Sequence, residues 1–466
     1  MKEMFCRILS VLMVLTLILP LSMVPVNAWG ECKLAYTIEN GEVTITGSNN
    51  PTDGVITIPD TIEGYPVTAI DAGAFLFKST IHSITIPPTV TSIGKDAFNL
   101  CDSLENVYIS DLSAWCKIDF DGSRATPMCY ASNLYLNNEL LTDVTLPENI
   151  TQLIDFTFYS CESLNSVTVP ETVTDIGYYS LAECTSLSNV TLPDGLQRIE
   201  KCAFSGCTAL EEITIPESVT EICDYAFAAC GLTTFTVPES ITVIGNGMFS
   251  GCTNLTTINI HDGVNKIGGG AFSGCSSLTS ITIPDGVTQI QEGMFEGCIS
   301  LATITIPDTV TSIRIWAFEG CTSLTSVTIP EGVTEVWLGA FQDCTSLTSI
   351  TFLGSAPELD NDVFENVTAN VYYPAADETW TDEVKRDYRG TLTWIGYEPE
   401  VPTLIVGDVT GDGQVNMGDV SGLYAHIRGT SLIKERSAQE VADINGDGNV
   451  NMGDVSSLYA QVRGVA

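Results

Sequence analysis

The sequence predicts a mainly β solenoid followed by a small all-α module. Phenylalanine recurs every 23 residues through most of the chain, and cysteine follows it three residues later in most copies. Short apolar segments that end in proline lie between these marks. A fixed period of this length indicates stacked coils, because one coil cannot bury its apolar side without its neighbours. We therefore expect about 12 coils of 23 residues, with parallel strands and short turns.

Two columns of residues mark the coils. The phenylalanine column contains Phe75, Phe98, Phe158, Phe204, Phe227, Phe249, Phe272, Phe295, Phe318, Phe341 and Phe364, with Leu181 in one place. The cysteine column contains Cys161, Cys184, Cys207, Cys230, Cys252, Cys275, Cys298, Cys321 and Cys344. We expect buried thiols here, because free cysteine packs as a small hydrophobe and a ladder of equivalent neighbours has no natural pairing. Cys116 and Cys129, in an irregular stretch, are the pair best placed for a disulfide.

The N-terminus is typical of a secretory signal. Lys2 and Arg7 supply the positive end, an apolar run follows, and Ala28 closes a small-residue cleavage site. An uncleaved membrane anchor is the alternative, but the apolar run is short for a membrane span. No later stretch is apolar enough to cross a bilayer, so we expect a secreted protein without membrane insertion.

The pattern divides the chain into six segments. We expect a signal peptide at 1–28, an N-terminal cap at 29–54, the solenoid at 55–364 with an insert at 110–142, a C-terminal cap at 365–396, a linker at 397–404 and a final module at 405–466. In the first cap, alternating residues around Asn40-Gly41 indicate a β-hairpin that covers the open edge of the first coil. The insert separates Phe98 from Phe158, so we expect one broken coil there.

The coil at 321–343 shows how the walls are built. Its inward positions are Leu324, Val327 and Ile329 on one wall and Val333 and Val336 on the opposite wall. Thr328 points outward from a short strand, which Pro330 ends because it has no backbone donor. The exposed threonine column is a candidate contact surface, although β-propensity alone explains it. Its members are Thr168, Thr191, Thr214, Thr282, Thr305 and Thr328.

The repeat carries a family resemblance. The pattern C-x-x-L-x-x-I-x-I-P-x-x-V-x-x-I-x-x-x-A-F-x-x-C resembles the BspA-like class of bacterial leucine-rich repeats over roughly residues 35–397. The DLSAWCKIDF insert and the VYYPAADETW tail resemble the same family. The resemblance implies an extracellular solenoid used in adhesion or protein binding. It provides no ligand residues that can be transferred to this chain.

The charge balance excludes two classes of partner. The formal net charge is −40, with only 18 Lys and Arg. Such acidity disfavours binding to nucleic acid and to anionic membrane surfaces.

The last 60 residues contain two loops with evenly spaced oxygen ligands. The first loop presents Asp408, Thr410, Asp412, Gln414, Asn416 and Asp419, and the second presents Asp443, Asn445, Asp447, Asn449, Asn451 and Asp454. Gly413 and Gly448 occupy the sharp turn of each loop. Oxygen ligands at positions 1, 3, 5, 9 and 12, with the position 7 residue contributing only its backbone carbonyl, suit Ca²⁺. An acidic turn pair without metal is the alternative, and two in-register copies argue against it.

Each loop runs into a helix with one apolar face. Val420, Leu423 and Ile427 form the first face, and Val455, Leu458 and Val462 form the second. Two such loop–helix segments resemble a type I dockerin, which implies two bound Ca²⁺ ions and a cohesin module of a scaffoldin as partner. Thr410 departs from the pattern, because a hydroxyl is a poorer calcium ligand than a carboxylate or amide oxygen. We expect the first loop to bind calcium more weakly.

The resemblance also implies which residues contact the cohesin. They are Met417, Gly418, Tyr424 and Ala425 in the first segment and Met452, Gly453, Tyr459 and Ala460 in the second. The two sets are identical, so the module should dock in either of two orientations related by a half turn. The alternative is that Tyr424 and Tyr459 are core residues of the module.

Two adjacent coils break the rule of the repeat. The three places before Ala-Phe are normally small or polar, but they become Arg314-Ile315-Trp316 and Trp337-Leu338-Gly339. Exposed apolar patches on soluble proteins mark contact surfaces, so we predict ligand contacts at Ile315, Trp316, Trp337 and Leu338. A looser group contains Phe156, Tyr178, Tyr179 and Tyr225, which should also face solvent. Local packing between neighbouring turns is the alternative in both places.

No catalytic constellation recurs along the chain. The three histidines, His82, His261 and His426, lie in no metal-spaced or nucleophile motif. We expect no catalytic residues and a secreted, non-catalytic binding solenoid attached to a scaffoldin, accessory to extracellular polysaccharide degradation. The alternatives are a carbohydrate-binding accessory subunit and a polysaccharide-active enzyme that uses the insert.

Overall fold

The structure is a computed structural model that describes residues 33–49, 51, 53–398, 454–455 and 457–458. The chain divides into two compact units, one of residues 1–373 with 379–395 and one of residues 374–378 with 396–466. The predicted signal peptide and the calcium loops lie outside the described residues, apart from Asp454. Among the described residues, no helix is long and apolar enough to cross a membrane.

The described chain begins with the predicted hairpin. Strand β1 covers Leu34–Glu39 and β2 covers Glu42–Ser48, and the two pair antiparallel. Asn40 and Gly41 both have positive φ, as a two-residue hairpin turn of this kind requires. Strand β2 then pairs in parallel with β5, Tyr65–Ile70, so the hairpin extends the sheet of the first coils. The prediction of a hairpin on this edge is confirmed.

Each coil contributes short strands to two opposite walls. The first wall contains β3 Val55–Thr57, β6 Ser83–Thr85, β8 Asn106–Ile109, β10 Asn133–Leu136, β12 Asp143–Thr145, β14 Ser166–Thr168, β16 Asn189–Thr191, β19 Thr234–Thr236, β21 Thr257–Asn259, β25 Ser326–Ile329, β27 Ser349–Phe352 and β29 Thr368–Pro374. Equivalent residues pair in register from one coil to the next, for example Val327 with Ile350. The predicted inward residues of the coil at 321–343 are buried and the six threonines of the column are exposed. Strand β25 ends directly before Pro330, as predicted.

The second wall is built from shorter strands. It contains β5, β7 Ser92–Ile93, β9 Asp119–Phe120, β13 Gln152–Leu153, β15 Asp175–Ile176, β17 Arg198–Ile199, β18 Glu221–Ile222, β20 Val243–Ile244, β22 Lys266–Ile267, β23 Gln289–Ile290, β24 Ser312–Ile313, β26 Glu335–Val336 and β28 Glu358–Leu359. The strand order is β1-β2-β5-β7-β9, then β13-β15-β17-β18, then β20-β22, then β23-β24-β26-β28. The small strands β4 Thr61–Ile62 and β11 Glu139–Leu140 pair antiparallel with β5 and β10.

The phenylalanine column forms a ladder of stacked rings in the interior. From Phe204 to Phe364, successive column rings lie 5.1–6.1 Å apart, with interplanar angles of 16° or less. The cysteine column lies beside this ladder. Each thiol of the column from Cys184 onward donates a hydrogen bond to a backbone carbonyl of the phenylalanine column one coil earlier. Cys298 Sγ, for example, donates to Phe272 O at 3.1 Å. The described cysteines are free thiols, so the buried-thiol prediction is confirmed. Cys116 and Cys129 do not form a disulfide.

The stretch at 110–142 forms a coil of its own, which corrects the expectation of a broken coil carrying an insert. Strand β9 pairs in parallel with β7, and β10 pairs in parallel with β8, so both walls extend into this stretch, and new sheets begin after it at β12 and β13. The helix α1, Leu112–Trp115, precedes β9, and a 3-10 turn, Pro127–Cys129, precedes β10. The buried Trp115 donates from Nε1 to Thr157 O at 2.9 Å, which ties this coil to the next one. The solenoid thus has more coils than the phenylalanine column marks.

The described solenoid ends in an aromatic cluster. Strand β30, Thr391–Tyr397, follows β29 in the sheet order and includes the first residue of the predicted linker. Trp380 is buried and donates from Nε1 to Gly354 O at 3.1 Å. Its ring lies 4.9 Å from Phe352 and 5.8 Å from Trp394. Large aromatic side chains therefore replace the regular interior at this end.

Candidate binding surface

A column of residues with left-handed backbone runs along the edge of the second wall. Each member stands two residues before the phenylalanine column, where the chain turns into the interior. The members, all with φ between +52° and +64°, are Gly73, Asp96, Phe156, Tyr179, Cys202, Tyr225, Gly247, Gly270, Gly293, Trp316 and Gly339. This conformation favours glycine, because a Cβ atom crowds the following carbonyl. A bulky side chain in the left-handed column therefore stands on a backbone conformation that is unfavourable for any residue other than glycine.

Trp316 occupies the left-handed column and faces solvent. Its side chain is 40% exposed, and it lies over Gly339 of the next coil. A Cβ atom at Gly339 would come within 2.6 Å of Trp316 Cδ1, so the glycine provides the space for the ring. Leu338 is 37% exposed, Ile315 is half-buried, and Trp316 N donates to Leu338 O at 3.0 Å. Three of the four predicted contact residues therefore lie together on one edge.

Trp337, the fourth, is half-buried and packs between neighbouring coils. The Arg314 guanidinium lies 4.4 Å from its ring centroid, and its Nε1 donates to Glu335 Oε2 at 3.2 Å. A pocket of about 120 Å³ opens beside it, lined by Glu335, Val336, Trp337, Glu358 and Asp360. We call Ile315, Trp316, Trp337 and Leu338, with this pocket, the tryptophan patch.

The sequence analysis did not predict the carboxylates of the tryptophan patch, although their 23-residue spacing from other patch residues is visible in the sequence. Glu358 stands one 23-residue period after Glu335, and Asp360 stands one period after Trp337. Asp360 Oδ2 accepts from Leu338 N at 2.9 Å, which fixes the backbone of the patch. Nearby, burial and the neighbouring carboxylates of Glu296 and Asp343 raise the pKa of Glu319. The patch therefore combines an apolar edge with negatively charged surroundings.

The looser aromatic group is mostly internal packing, which corrects the expectation that it faces solvent. Phe156 is buried, and its ring stacks on Tyr179 at 5.8 Å with an interplanar angle of 13°. Tyr178 and Tyr159 pack edge-on against the same pair. These rings fill the space between coils because they are large enough to reach one another. Tyr225 does not join them, and it is 40% exposed.

The predicted calcium and cohesin-binding residues fall outside the described residues, except for one. Asp454, at position 12 of the second loop, is helical and buried. Val455 and Leu458, predicted on one apolar helix face, are both buried. Within the described part of the chain, no cluster of three or more His, Cys, Asp or Glu side chains is arranged to hold a metal ion.

The repeat and the final module both match known families. The family model of the BspA type leucine rich repeat region matches residues 55–121, 131–256 and 242–370. The chain belongs to the BspA-type leucine-rich-repeat proteins. The type I dockerin domain model matches residues 406–463 of this repeat protein. No protein with a curated function matches the chain.

Solved structures show the same solenoid. A leucine-rich repeat protein from Bacteroides ovatus ATCC 8483 is 27% identical, with a TM-score of 0.53, over 79% of this chain and 99% of that one. A leucine rich cell surface protein from Faecalibacterium prausnitzii A2-165 is 30% identical, with a TM-score of 0.52, over 72% of this chain and 97% of that one. The solenoid architecture is therefore that of bacterial leucine-rich-repeat proteins.

Proposed function

We propose that this protein is a secreted, non-catalytic binding subunit whose solenoid is carried on a scaffoldin by its dockerin. The observation that carries the proposal is the combination of a leucine-rich solenoid with a type I dockerin in one chain. The dockerin provides the attachment to a cohesin, and the solenoid provides the surface for a further partner. By family, scaffoldin complexes degrade plant polysaccharide, so the protein is an accessory to that process outside the cell.

The donor chemistry of the two loops fits two Ca²⁺ ions. Side-chain carboxylates and amides stand at positions 1, 5, 9 and 12 of both loops, and position 7 contributes its backbone carbonyl. At position 3 the second loop has Asn445 and the first has Thr410. Calcium titration of the mature protein tests the difference. Thr410→Asn should raise the affinity of the weaker site, and Asn445→Thr should lower that of the stronger one; unchanged affinities would contradict the assignment.

The cohesin contacts are duplicated. Because Met417, Gly418, Tyr424 and Ala425 are repeated by Met452, Gly453, Tyr459 and Ala460, either set presents the same surface. Replacement of Tyr424 alone or of Tyr459 alone by Ala should leave cohesin binding within about threefold, whereas both replacements together should abolish it. Loss of binding from one replacement alone would refute the two orientations.

The tryptophan patch is the proposed contact for a partner protein of the solenoid. Its exposed tryptophan is a residue type enriched among energetically important contacts, and its rim carries Glu335, Glu358 and Asp360. A basic side chain of the partner fits these surroundings, because three carboxylates line the pocket. The partner should therefore bind less tightly as the salt concentration rises.

A capture experiment tests the patch. Mature protein is used as bait in culture fractions, beside the variant Trp316→Ala with Trp337→Ala and the control variant Thr305→Ala with Thr328→Ala on the first wall. The same partner should be retained by the parent and the threonine variant, be lost from the tryptophan variant and be eluted by salt. Equal capture by both variants would refute the patch as the contact.

A further inference from the structure

A second irregularity lies four coils before the tryptophan patch, where one coil is shorter than the rest. Phe249 follows Phe227 by 22 residues, whereas the next coils repeat every 23. The missing residue falls between Cys230 and Leu232, which stand two apart where Cys321 and Leu324 stand three apart. A shorter circumference changes where the following strand meets its neighbour on the second wall.

The strand ladder of the second wall breaks at this coil, as it also does between β9 and β13 and between β22 and β23. Strand β18 pairs with β17 on one side, and β20 pairs with β22 on the other, but β18 and β20 belong to different sheets. A cleft of about 550 Å³ opens between them. Its volume lies in the range of small-ligand sites, about 300–1,000 Å³.

The cleft mixes hydrogen-bonding groups with apolar surface. Thr220 and Thr242 supply hydroxyls, Glu221 and Asp224 supply carboxylates, and Lys201 lies at the edge. The side chain of Val243 is 43% exposed. The equivalent positions in the adjacent coils hold the charged residues Glu221 and Lys266. An apolar residue therefore replaces a charged one where the wall opens.

An exposed aromatic ring stands next to the cleft. Tyr225 follows Asp224 directly, lies in the left-handed column with φ +58°, and rests against Gly247 of the next coil. A Cβ atom at Gly247 would clash with the ring, at 2.2 Å from Tyr225 Cε1. Lys201 Nζ lies 5.6 Å from the ring centroid. The ring is thus fixed before any ligand arrives, which lowers the entropic cost of binding.

Asp224 is fixed in the same way and still has capacity to accept. Its Oδ1 accepts from Asn246 N at 2.7 Å, and its Oδ2 accepts from Asn246 Nδ2 at 3.2 Å. A carboxylate has about four lone-pair sites, so further donors from a ligand can be bound. A ligand rich in hydroxyl groups supplies such donors.

We propose that this cleft is a binding site for a neutral saccharide. The exposed part of the Tyr225 ring, next to the cleft, packs on the sugar, and Asp224, Glu221 and the two threonines that line the cleft bind the sugar hydroxyl groups. Arg198 pairs with Glu221 at 3.0 Å and Lys201 lines the cleft, so Asp224 and the net charge of −40 are what disfavour uronic and sulfated sugars. The site is independent of cohesin docking and separate from the tryptophan patch, so its failure and the failure of the proposed function are distinguishable.

Calorimetric titration of the mature protein tests the site. The probes are cellohexaose, xylohexaose and mannohexaose, with hexagalacturonate as the anionic comparison. At least one neutral hexaose should bind, more than tenfold more tightly than hexagalacturonate. Tyr225→Ala should weaken this binding at least tenfold, and Asp224→Asn should weaken it severalfold. Thr328→Ala, on the exposed face of the first wall, should leave it unchanged.

Two further measurements keep the test decisive. Val243→Arg should fill the exposed rim of the cleft and abolish binding without touching the interior, so it replaces Tyr225→Ala if that variant melts early. Binding of none of the three neutral hexaoses, binding that survives both Tyr225→Ala and Val243→Arg, or tighter binding of hexagalacturonate would each overturn the proposal. Loss of a captured protein partner from the Tyr225→Ala variant would assign the cleft to protein binding instead.

Discussion

Trp316 and Phe318 stand two residues apart in one turn and follow opposite rules. Phe318 is fully buried, and its ring stacks between Phe295 and Phe341 at 5.4 and 5.1 Å. Trp316 is 40% exposed, and other coils hold Gly, Asp, Phe, Tyr or Cys at its position. The interior column is nearly invariant because each ring must fit the rings above and below it. The exposed column varies from coil to coil, so it is where the chain can place residues for contact.

Alkaline pH should have the largest effect, because it ionises several thiols that are buried in the interior. Burial raises the pKa of Cys252, Cys298 and Cys344 to about 12 each. The folded pKa lies above the unfolded value, so this contribution is complete below about pH 8.5 and is lost as the pH rises towards 12. Ionisation of each thiol should lower the free energy of unfolding by roughly 1 kcal/mol per pH unit in that window.

Urea denaturation of the mature protein between pH 7 and pH 11 measures this loss. A variant with Cys252, Cys298 and Cys344 all replaced by Ala should show a flatter dependence of the free energy of unfolding on pH. A free energy that stays constant up to pH 11 in the parent protein would mean that these thiols are not buried as described.

Removal of one ring from the ladder should have the next largest effect. Phe295→Ala should lower the free energy of unfolding by about 3–5 kcal/mol, because it leaves a cavity between two stacked neighbours. Phe295→Leu should cost less, since Leu181 occupies the same column and is buried. Urea midpoints of the two variants provide the measurement, and equal losses would show that an aliphatic side chain cannot replace the stacked ring at this position.

Trp337→Ala should have a smaller effect on stability. It removes the contact with Arg314 and the bond to Glu335, which together contribute about 1 kcal/mol at a half-exposed site. Trp337→Phe keeps a ring for the guanidinium and should recover most of that amount. Thermal melting distinguishes the two variants. If Trp337→Ala destabilised the protein as much as Phe295→Ala, Trp337 would contribute to stability as a buried ring of the ladder does.

Trp316→Gly should have the smallest effect. Glycine relieves the left-handed backbone, worth about 1 kcal/mol, and this gain offsets the lost contact with Gly339. Trp316→Ala should be less stable than Trp316→Gly, in contrast to the usual order outside turns. Gly270→Ala is the matched control: its nearest neighbour is 3.9 Å from the added Cβ, so only the backbone penalty applies. Higher stability of Trp316→Ala than of Trp316→Gly in thermal melting would contradict this account.

The sequence predicted the interior well because burial repeats with the coil. The ring ladder, the thiols beside it, the outward threonines and the hairpin around Asn40-Gly41 all follow from period and alternation. The coil at 110–142 was missed because Trp115 and Phe120 fill it in a different register from the phenylalanine column. Packing of Phe156 on Tyr179 was also missed, since contact between two coils depends on side-chain reach.

Part of the surface could have been predicted by reading down the coils. Arg314, Trp337 and Asp360 are one period apart, and the structure places the first over the second and the third beside it. The cleft at β18 and β20 is harder to predict. The spacing in the sequence shows that one residue is missing near Cys230. The cleft beside this coil depends on how the two walls adjust to the shorter coil, which the spacing does not reveal.

The left-handed column also acts as a ruler. Neighbouring strands lie about 4.8 Å apart, so each coil advances any displayed side chain by one such step. Tyr225 and Trp316 are separated by Gly247, Gly270 and Gly293, and four steps place them roughly 19 Å apart. Adding or removing one coil would change that separation by a single step while leaving the ring ladder continuous. The distance between two contact points on this protein is therefore set by counting repeats.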